Sequence, residues 1–467
     1  MITTERIRRY NSSIAIVTEN GDNYSYGELL DIANAISNNI KKRSLVFCLV
    51  QNCVGSLAGY IGFLLNNHVS LMLSNNLGSE LLKKLILNYN PDYLWVSSKD
   101  KYFNSLGEEV LKIYNYSLIK LSSKKGNFLH VNLALLLTTS GSTGSPKLVK
   151  LTHDNIYQNA KSISNYLSID ENERPITTLP MNYSFGLSII NSHLLKGATI
   201  LLTNSSLMKK TFWSFIKSYE ATSLSGVPYN FEILKKLRFF DMELPNLKTI
   251  TQAGGRLSND LNMEFAKFCK QKRKRFFVMY GQTEATARMS YLPHQHSISK
   301  LGSIGIAIPG GEFSLIDKNS KIVNEPHAEG ELVYRGKNVS MGYAVSKEDL
   351  AKGDENNGIL RTGDIAKRDE EDFYYIIGRK NRFIKIYGNR VNLDETEDLL
   401  KSIISDCACS GEDDMMEIYI TEENRTKEVR DFISRKTGIN KNAFNVNAVT
   451  KIPINPSGKT IYSKLQS

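Results

Sequence analysis

The sequence predicts an α/β fold: a large N-terminal domain of layered α/β sheets with a small β subdomain, then a small α+β C-terminal domain. Three observations predict it. From about residue 13 to 300, short β-rich apolar runs alternate with longer helical patterns, which argues for parallel α/β layers. From about 300 to 378 the pattern changes to short strands with Gly and Asp turns, as in an antiparallel β subdomain. Beyond that, a compact tail of helix, strand, helix and strand reads as a separate unit, dividing the chain into 1–380 and 381–467.

In the first region the expected strands are "SLVFCLV", "VSLMLS", "YLWVSS", "ITTLP", "ATILLT", "ATSLSGV", "LKTITQAG" and "RFFVMYG". Between them "SELLKKLILNYN", "FGLSIINSHLLKG" and "SNDLNMEFAKFCKQK" carry helical spacing. The β subdomain should contain "EFSLIDK", "GELVYRG" and "FYYIIGR". In the tail, helices are expected over 393–404 and 426–437, with strands at "MMEIYIT" and "FNVNAVTKI" and a closing turn "NPSGKT". No internal repeat or low-complexity segment is present.

Composition narrows the class. Apolar, aromatic and charged fractions of 41%, 9% and 23% are those of a soluble globular protein. The most apolar region, "SLVFCLVQNCVGSLAGYIGFLLNN", is broken by Gln51 and Asn52, so it reads as a buried strand feeding a buried helix rather than a membrane span. The first residues, "MITTERIRRYNS", contain no apolar stretch with a cleavage site, and a cytoplasmic protein is expected. Five scattered cysteines lack zinc-ligand spacing and read as buried thiols. The net charge is +11, yet residues 382–467 hold 13 basic and 13 acidic side chains, so the excess lies N-terminal to them. Part of it is the run "KQKRKRFF", read as the solvated end of a helix before a strand. No nucleic-acid fold motif accompanies the charge; an acidic protein partner or a polyphosphate substrate suits it.

The stretch "TTSGSTGSPKLVKLTH" (138–153) follows the apolar run "LALLL" and precedes a helical pattern that Thr152 or Asp154 would cap. Its glycines allow close backbone approach, its hydroxyls and N–H groups donate, and Lys147 adds positive charge: a composition suited to phosphate. It lacks P-loop spacing, and a plain Ser/Gly surface loop has the same composition. Further segments follow in order: "QAGGRLS", "YGQTEATARMS", "GSIGIAIPG", "GELVYRGKNVSMGY", "LRTGDIA", "GRKNRFIKIYGNRVN" and "NPSGKT".

With these eight ordered segments over nearly its whole length, the chain resembles the adenylate-forming superfamily of acyl-CoA synthetases, peptide-synthetase adenylation domains, D-alanine–carrier ligases and luciferases. The resemblance implies a mobile C-terminal domain, an active site between the two domains, and ATP with Mg²⁺. Thr139, Ser140, Gly141, Ser142, Thr143, Gly144 and Lys147 would hold the β- and γ-phosphates. Tyr280, with Gly281 and Gln282, would lie at the adenine; Thr283 would bond the α-phosphate and Glu284 would help hold the metal. Gly254 and Gly255 would admit the adenine edge, with Arg256 beside them; Asp364 would accept the ribose hydroxyls and Arg379 would face ribose and phosphate. Lys459 would bridge the reacting carboxylate and the α-phosphate. Tyr183, Ser184, Gly186 and Val227 would line the acid pocket, Tyr183 either walling it or simply packing.

Three departures bear on substrate and motion. The aspartate with which peptide-synthetase relatives pair an α-ammonium is replaced by Ser184, and no carboxylate lies between Pro180 and Lys196, so an acid without a free α-ammonium is expected. The hinge aspartate is replaced by Asn381, and a Gly–Pro pair by His68 and Leu73. The implied activity is an ATP-dependent acid:thiol ligase that makes an acyl-adenylate and passes the acyl group to the phosphopantetheine of a carrier protein or to coenzyme A. The basic N-terminal region and the "GNRVNLDETE" segment favour a carrier. The alternatives are a D-alanine–carrier type ligase and a non-catalytic nucleotide- or partner-binding descendant. Lys147, Glu284, Asp364 and Lys459 argue against the latter, since each is dispensable to the fold.

Overall fold

Two sheets dominate the computed structural model, which describes residues 4–122, 127–138, 147–387, 389–455 and 459–465. Among the described residues, one sheet has nine strands and the other eight. The centre of the nine-stranded sheet is parallel: Ser223–Gly226, Thr249–Gln252 and Arg275–Tyr280 lie side by side, pairing Gly226 with Gln252 and Gln252 with Val278. In the eight-stranded sheet Leu45–Val50, Val69–Ser74 and Leu133–Thr138 run parallel. The helix Val54–Leu65 is buried along nearly its whole length, as an all-round apolar helix must be. It lies between the sheets: the core around it takes Ile16, Ile200 and Leu202 from one and Val46, Cys48 and Met72 from the other.

A four-stranded antiparallel sheet of Gly311–Ile316, Gly330–Gly336, Ile359–Arg368 and Tyr374–Arg379 forms the β subdomain. The tail builds a three-stranded sheet of Cys407–Glu412, Met415–Ile420 and Phe444–Ala448 with the helices Leu393–Leu400 and Thr426–Thr437. Its hydrophobic core runs from Ile384 to Val446 and, among the described residues, takes none from earlier in the chain. The fold is therefore the expected one, a large layered α/β body followed by a smaller α+β unit. Four of the five cysteines are buried thiols, and His68 is buried edge-on to Phe63.

Several local expectations need revision. The segment after Lys147 does not pass straight into a helix: Leu148–Thr152 is a strand antiparallel to Leu133–Thr138, with Thr138 opposite Leu148. The Ser/Thr/Gly stretch therefore connects neighbouring antiparallel strands. The signal is a short, mostly apolar run in "LVKLT", buried from Leu148 to Leu151, and the helical run that follows outweighs it. That helix begins at His153, and Thr152 caps it, accepting from the Asn155 N–H at 3.0 Å while Asn155 Oδ1 accepts from the Thr152 N–H at 2.9 Å. The strand expected at "ITTLP" is confined to Pro175–Ile176, and the first tail helix stops at Leu400 rather than 404.

Candidate active site

The carboxyl ends of three adjacent parallel strands converge on the segments beginning at Val227, Ala253 and Gly281, the edge of an open α/β sheet where ligands are bound. Gly254 turns there with φ +85°, and a β-carbon on it would lie 2.7 Å from the Tyr183 hydroxyl and 2.9 Å from Val227 Cγ1. Only glycine lets the chain pass so close to both. Tyr183, Val227 and Gly254 thus form one wall, and burial pushes the Tyr183 phenol up to about 12. Gln252 Nε2 donates to the Gly255 carbonyl at 2.8 Å, steadying the turn. Gly186 faces the Pro180 carbonyl, so it serves the packing of its helix on the preceding turn.

Next along, Ser184 opens the helix Ser184–Leu194, and its hydroxyl lies 3.1 Å from that of Thr283. The turn from Gly281 to Ala287 folds back on itself, with the Gly281 α-carbon against the Ala287 carbonyl and with Thr286 at φ +62° and Ala287 at φ +117°. Such backbone persists only where neighbours over-determine it. Here the neighbour is Asn338, 3% exposed, whose Nδ2 donates to the Ala285 carbonyl at 2.8 Å and whose carbonyl accepts from the Thr286 hydroxyl at 2.6 Å. Tyr334 OH fixes Asn338 from the other side by donating to Oδ1 at 2.8 Å.

Asp364 is 4% exposed and is held by three partners. Tyr280 OH donates to Oδ2, Gln282 Nε2 donates to the same oxygen at 3.0 Å, and Arg379 Nε lies 3.3 Å from Oδ1. The antiparallel register sets Arg379 directly opposite Asp364. Burial raises the carboxyl pKa, and the Arg379 charge and the two donors hold it back. The same burial, with the neighbouring carboxylate, pushes the Tyr280 phenol far up, so it stays a donor.

Glu284 Oε1 accepts from Tyr343 OH at 2.6 Å, and Lys147 Nζ sits 5.6 Å from the centre of the Tyr343 ring. One tyrosine thus links the lysine after the Ser/Thr/Gly stretch to the carboxylate expected to hold metal. Lys459 is half-buried in the same place. Burial lowers its pKa, Arg379 pushes it the same way, and Glu284 and Asp364 oppose them. Its backbone is clamped by Asn455, which accepts the Lys459 N–H at 2.9 Å and donates its own N–H to the Lys459 carbonyl at 2.8 Å. Arg256 turns elsewhere: its guanidinium pairs with Asp398 at 2.7 Å, tying the large body to the first tail helix. Thr139, Ser140, Gly141, Ser142, Thr143 and Gly144 lie outside the described residues. Asn381 sits in the one-turn helix Lys380–Arg382, directly after the last strand of the β subdomain.

Three side chains of this arrangement carry no motif of their own in the sequence. Asn338 and Tyr343 both stand in the quoted "GELVYRGKNVSMGY", where neither spacing nor residue type distinguishes them from surface polars. Arg288, in "YGQTEATARMS", is 2% exposed. Its Nε donates to Ser188 Oγ at 3.2 Å, its Nη1 to Tyr166 OH at 3.1 Å, and its guanidinium lies 5.0 Å from the Phe185 ring centre. An arginine among small and apolar residues was the available signal.

Comparison with known proteins bears on this arrangement. The family model for AMP-binding enzymes matches residues 3–344. The chain is 30% identical to the 2-succinylbenzoate–CoA ligase of Bacillus subtilis over 284 residues, 60% of this chain and 56% of that one. It is 26% identical to luciferin 4-monooxygenase of Nipponoluciola cruciata over 391 residues, 80% of this chain and 69% of the other. The match thus spans little more than half the length of the 2-succinylbenzoate ligase. In three dimensions the chain resembles the Bacillus subtilis o-succinylbenzoate CoA synthetase solved with its acyl-adenylate intermediate, with a TM-score of 0.80 at 22% identity over 99% of this chain and 97% of that one. That likeness is one of fold.

Proposed function

The chain belongs to the AMP-binding enzyme family, and we propose that within it this protein is an ATP-dependent, AMP-forming acid:thiol ligase. The observation that carries the reading is that Lys459, from the far end of the chain, is half-buried near enough to Glu284, Asp364 and Arg379 for their charges to act on its ammonium. A cation is then available where negative charge grows, and its neighbours are the groups a nucleotide needs.

In the first half-reaction a carboxylate oxygen of the acid attacks the α-phosphorus of ATP. A new P–O bond forms, the α–β bridge breaks and pyrophosphate leaves. Lys459 sits between the incoming carboxylate and the phosphoryl group, and Thr283, steadied by Ser184, donates to it. Asp364 takes the ribose hydroxyls in place of the donors that now occupy it. Lys147 and the 139–144 stretch hold the outgoing phosphates. Mg²⁺ suits Glu284, whose Oε1 is already oriented by Tyr343, and when bound it would neutralise charge on the phosphates. In the second half-reaction a thiol sulfur attacks the acyl carbon, the C–O bond to AMP breaks, and the thiol proton passes to solvent. Nothing in this scheme asks for a substrate ammonium.

We place the domain boundary at 380/381, with Asn381 as the pivot of a tail that swings between half-reactions. The acceptor is a pantetheine thiol. The coenzyme A ligases among the relatives support coenzyme A, and the charge confined to the N-terminal region supports an acidic carrier protein. Among the described residues no helix is long and apolar enough to cross a membrane. The test is incubation with ATP, Mg²⁺ and a panel of fatty, aryl, hydroxy and amino acids, with mass spectrometry of the products. Acid-dependent AMP, pyrophosphate and acyl-adenylate are expected; ADP and phosphate, or turnover indifferent to acid, contradict the reading.

A further inference from the structure

Burying a guanidinium is costly, because it stays charged at any ordinary pH and loses its hydration. Buried arginines are therefore normally matched by a carboxylate. Arg288 is not: its described hydrogen bonds go to two hydroxyls, Ser188 and Tyr166, and to the Met279 sulfur, with the Phe185 ring alongside. Among the described residues it makes no ion pair, and none of its bonds uses Nη2. A fork with an unused side, 2% exposed, is a site for an anion that the protein does not itself provide.

Its position says which anion. Ser184 and Ser188 are four residues apart on one helix, hence on the same face, one turn apart. Ser184 touches Thr283, at the reacting end, and Ser188 touches Arg288. With a rise of about 1.5 Å per residue, the guanidinium's contact lies roughly 6 Å along the helix from the reacting end. Phe185, between the two serines, packs edge-on to Tyr183 of the pocket wall at 6.4 Å. Resting on the ligase reading above, we infer that Arg288 selects the acid. The preferred substrate carries a second anionic group a few bonds from the carboxylate that is activated: a short dicarboxylate, received at its far end by the guanidinium. The same buried cation repels an ammonium, which sharpens the exclusion expected from Ser184.

The test compares matched pairs, butanoate with butanedioate and hexanoate with hexanedioate, in acid-dependent pyrophosphate exchange, reading kcat/KM for wild type, Arg288→Met and Arg288→Lys. Wild type should favour the diacid of at least one pair. Arg288→Met should lower the diacid-to-monoacid ratio by about a hundredfold, the scale of a truncated buried charge pair, with Arg288→Lys in between. If thermal melts show that Arg288→Met does not fold, the wild-type panel decides alone. Wild-type preference for the monoacid in both pairs overturns the inference while leaving the ligase reading intact, as does a ratio indifferent to Arg288→Met in a folded protein. Exchange with no acid of any class overturns the ligase reading and this inference with it.

Discussion

The sides of the site proposed for the nucleotide and for the acid are built on opposite plans. At the nucleotide side the two described carboxylates are answered from within the protein: Asp364 by Arg379, Tyr280 and Gln282, and Glu284 by Tyr343. At the acid side a buried guanidinium faces hydroxyls, a sulfur and a ring. On the proposed reading the first plan would preorganise donors and acceptors for the nucleotide. The second leaves one strong interaction to be completed by the ligand, and so makes that interaction the discriminating one.

The largest effect should come from the one group that serves both sides. Lys459→Ala removes a charge that acts at the transition state and should cost about 2.7–4 kcal/mol in adenylate formation, roughly a hundred- to a thousandfold in rate, with ATP binding nearly unchanged. Exchange within tenfold of wild type would sink the assignment. Because burial and Arg379 lower its pKa, the catalytic ammonium is lost as pH rises through a value below the ordinary 10.5. The alkaline limb of the exchange rate should therefore fall below pH 10.5, and a limb at or above it would break the account. Linkage has a matching sign. A lysine lowered on folding penalises the folded state at low pH, and the penalty lifts as pH climbs from the folded towards the unfolded value.

Asp364→Ala probes the preorganised side alone. It should weaken ATP by about 1.5–3 kcal/mol, the worth of hydrogen bonds to a charged group, measurable by calorimetry without any acid present. An unchanged ATP affinity would count against the ribose role. Asn338→Ala strips the side-chain clamp from the turn and leaves the buried Ala285 carbonyl without its donor and the buried Tyr334 hydroxyl without its acceptor, at about 1–3 kcal/mol each. A lowered melting temperature is expected, together with slower chemistry; an unaltered melt would show that the turn holds itself. The smallest effect belongs to Arg256→Ala. Its ion pair with Asp398 is largely solvent-exposed, and exposed pairs contribute little, so exchange should change less than about fivefold. A larger loss would return Arg256 to the nucleotide.

The same contrast explains what could be read from the chain itself. The layered α/β body and the α+β tail follow from periodicities that local sequence carries. Tyr280, Thr283, Glu284, Asp364 and Lys459 stand in short motifs whose order repeats the family's. The strand Leu148–Thr152 was hidden because a run of only five residues is outweighed by a strong helix behind it. Arg288 escaped for a different reason: it stands out in sequence as an arginine among small and apolar residues, but that its guanidinium meets hydroxyls, a sulfur and a ring and, among the described residues, no carboxylate shows only in the fold. Asn338 and Tyr343 act across more than fifty residues, on a turn that is itself defined only once folded.

The central claim is that this site activates an acid as its adenylate with a lysine brought from the tail. Acid-dependent exchange of labelled pyrophosphate into ATP, run side by side on wild type and Lys459→Ala, tests it most directly. Exchange is expected in the wild type only when a suitable acid is present, with a loss of a hundredfold or more in the variant while calorimetric ATP affinity holds. Acid-independent exchange, or a variant as active as wild type, would contradict it.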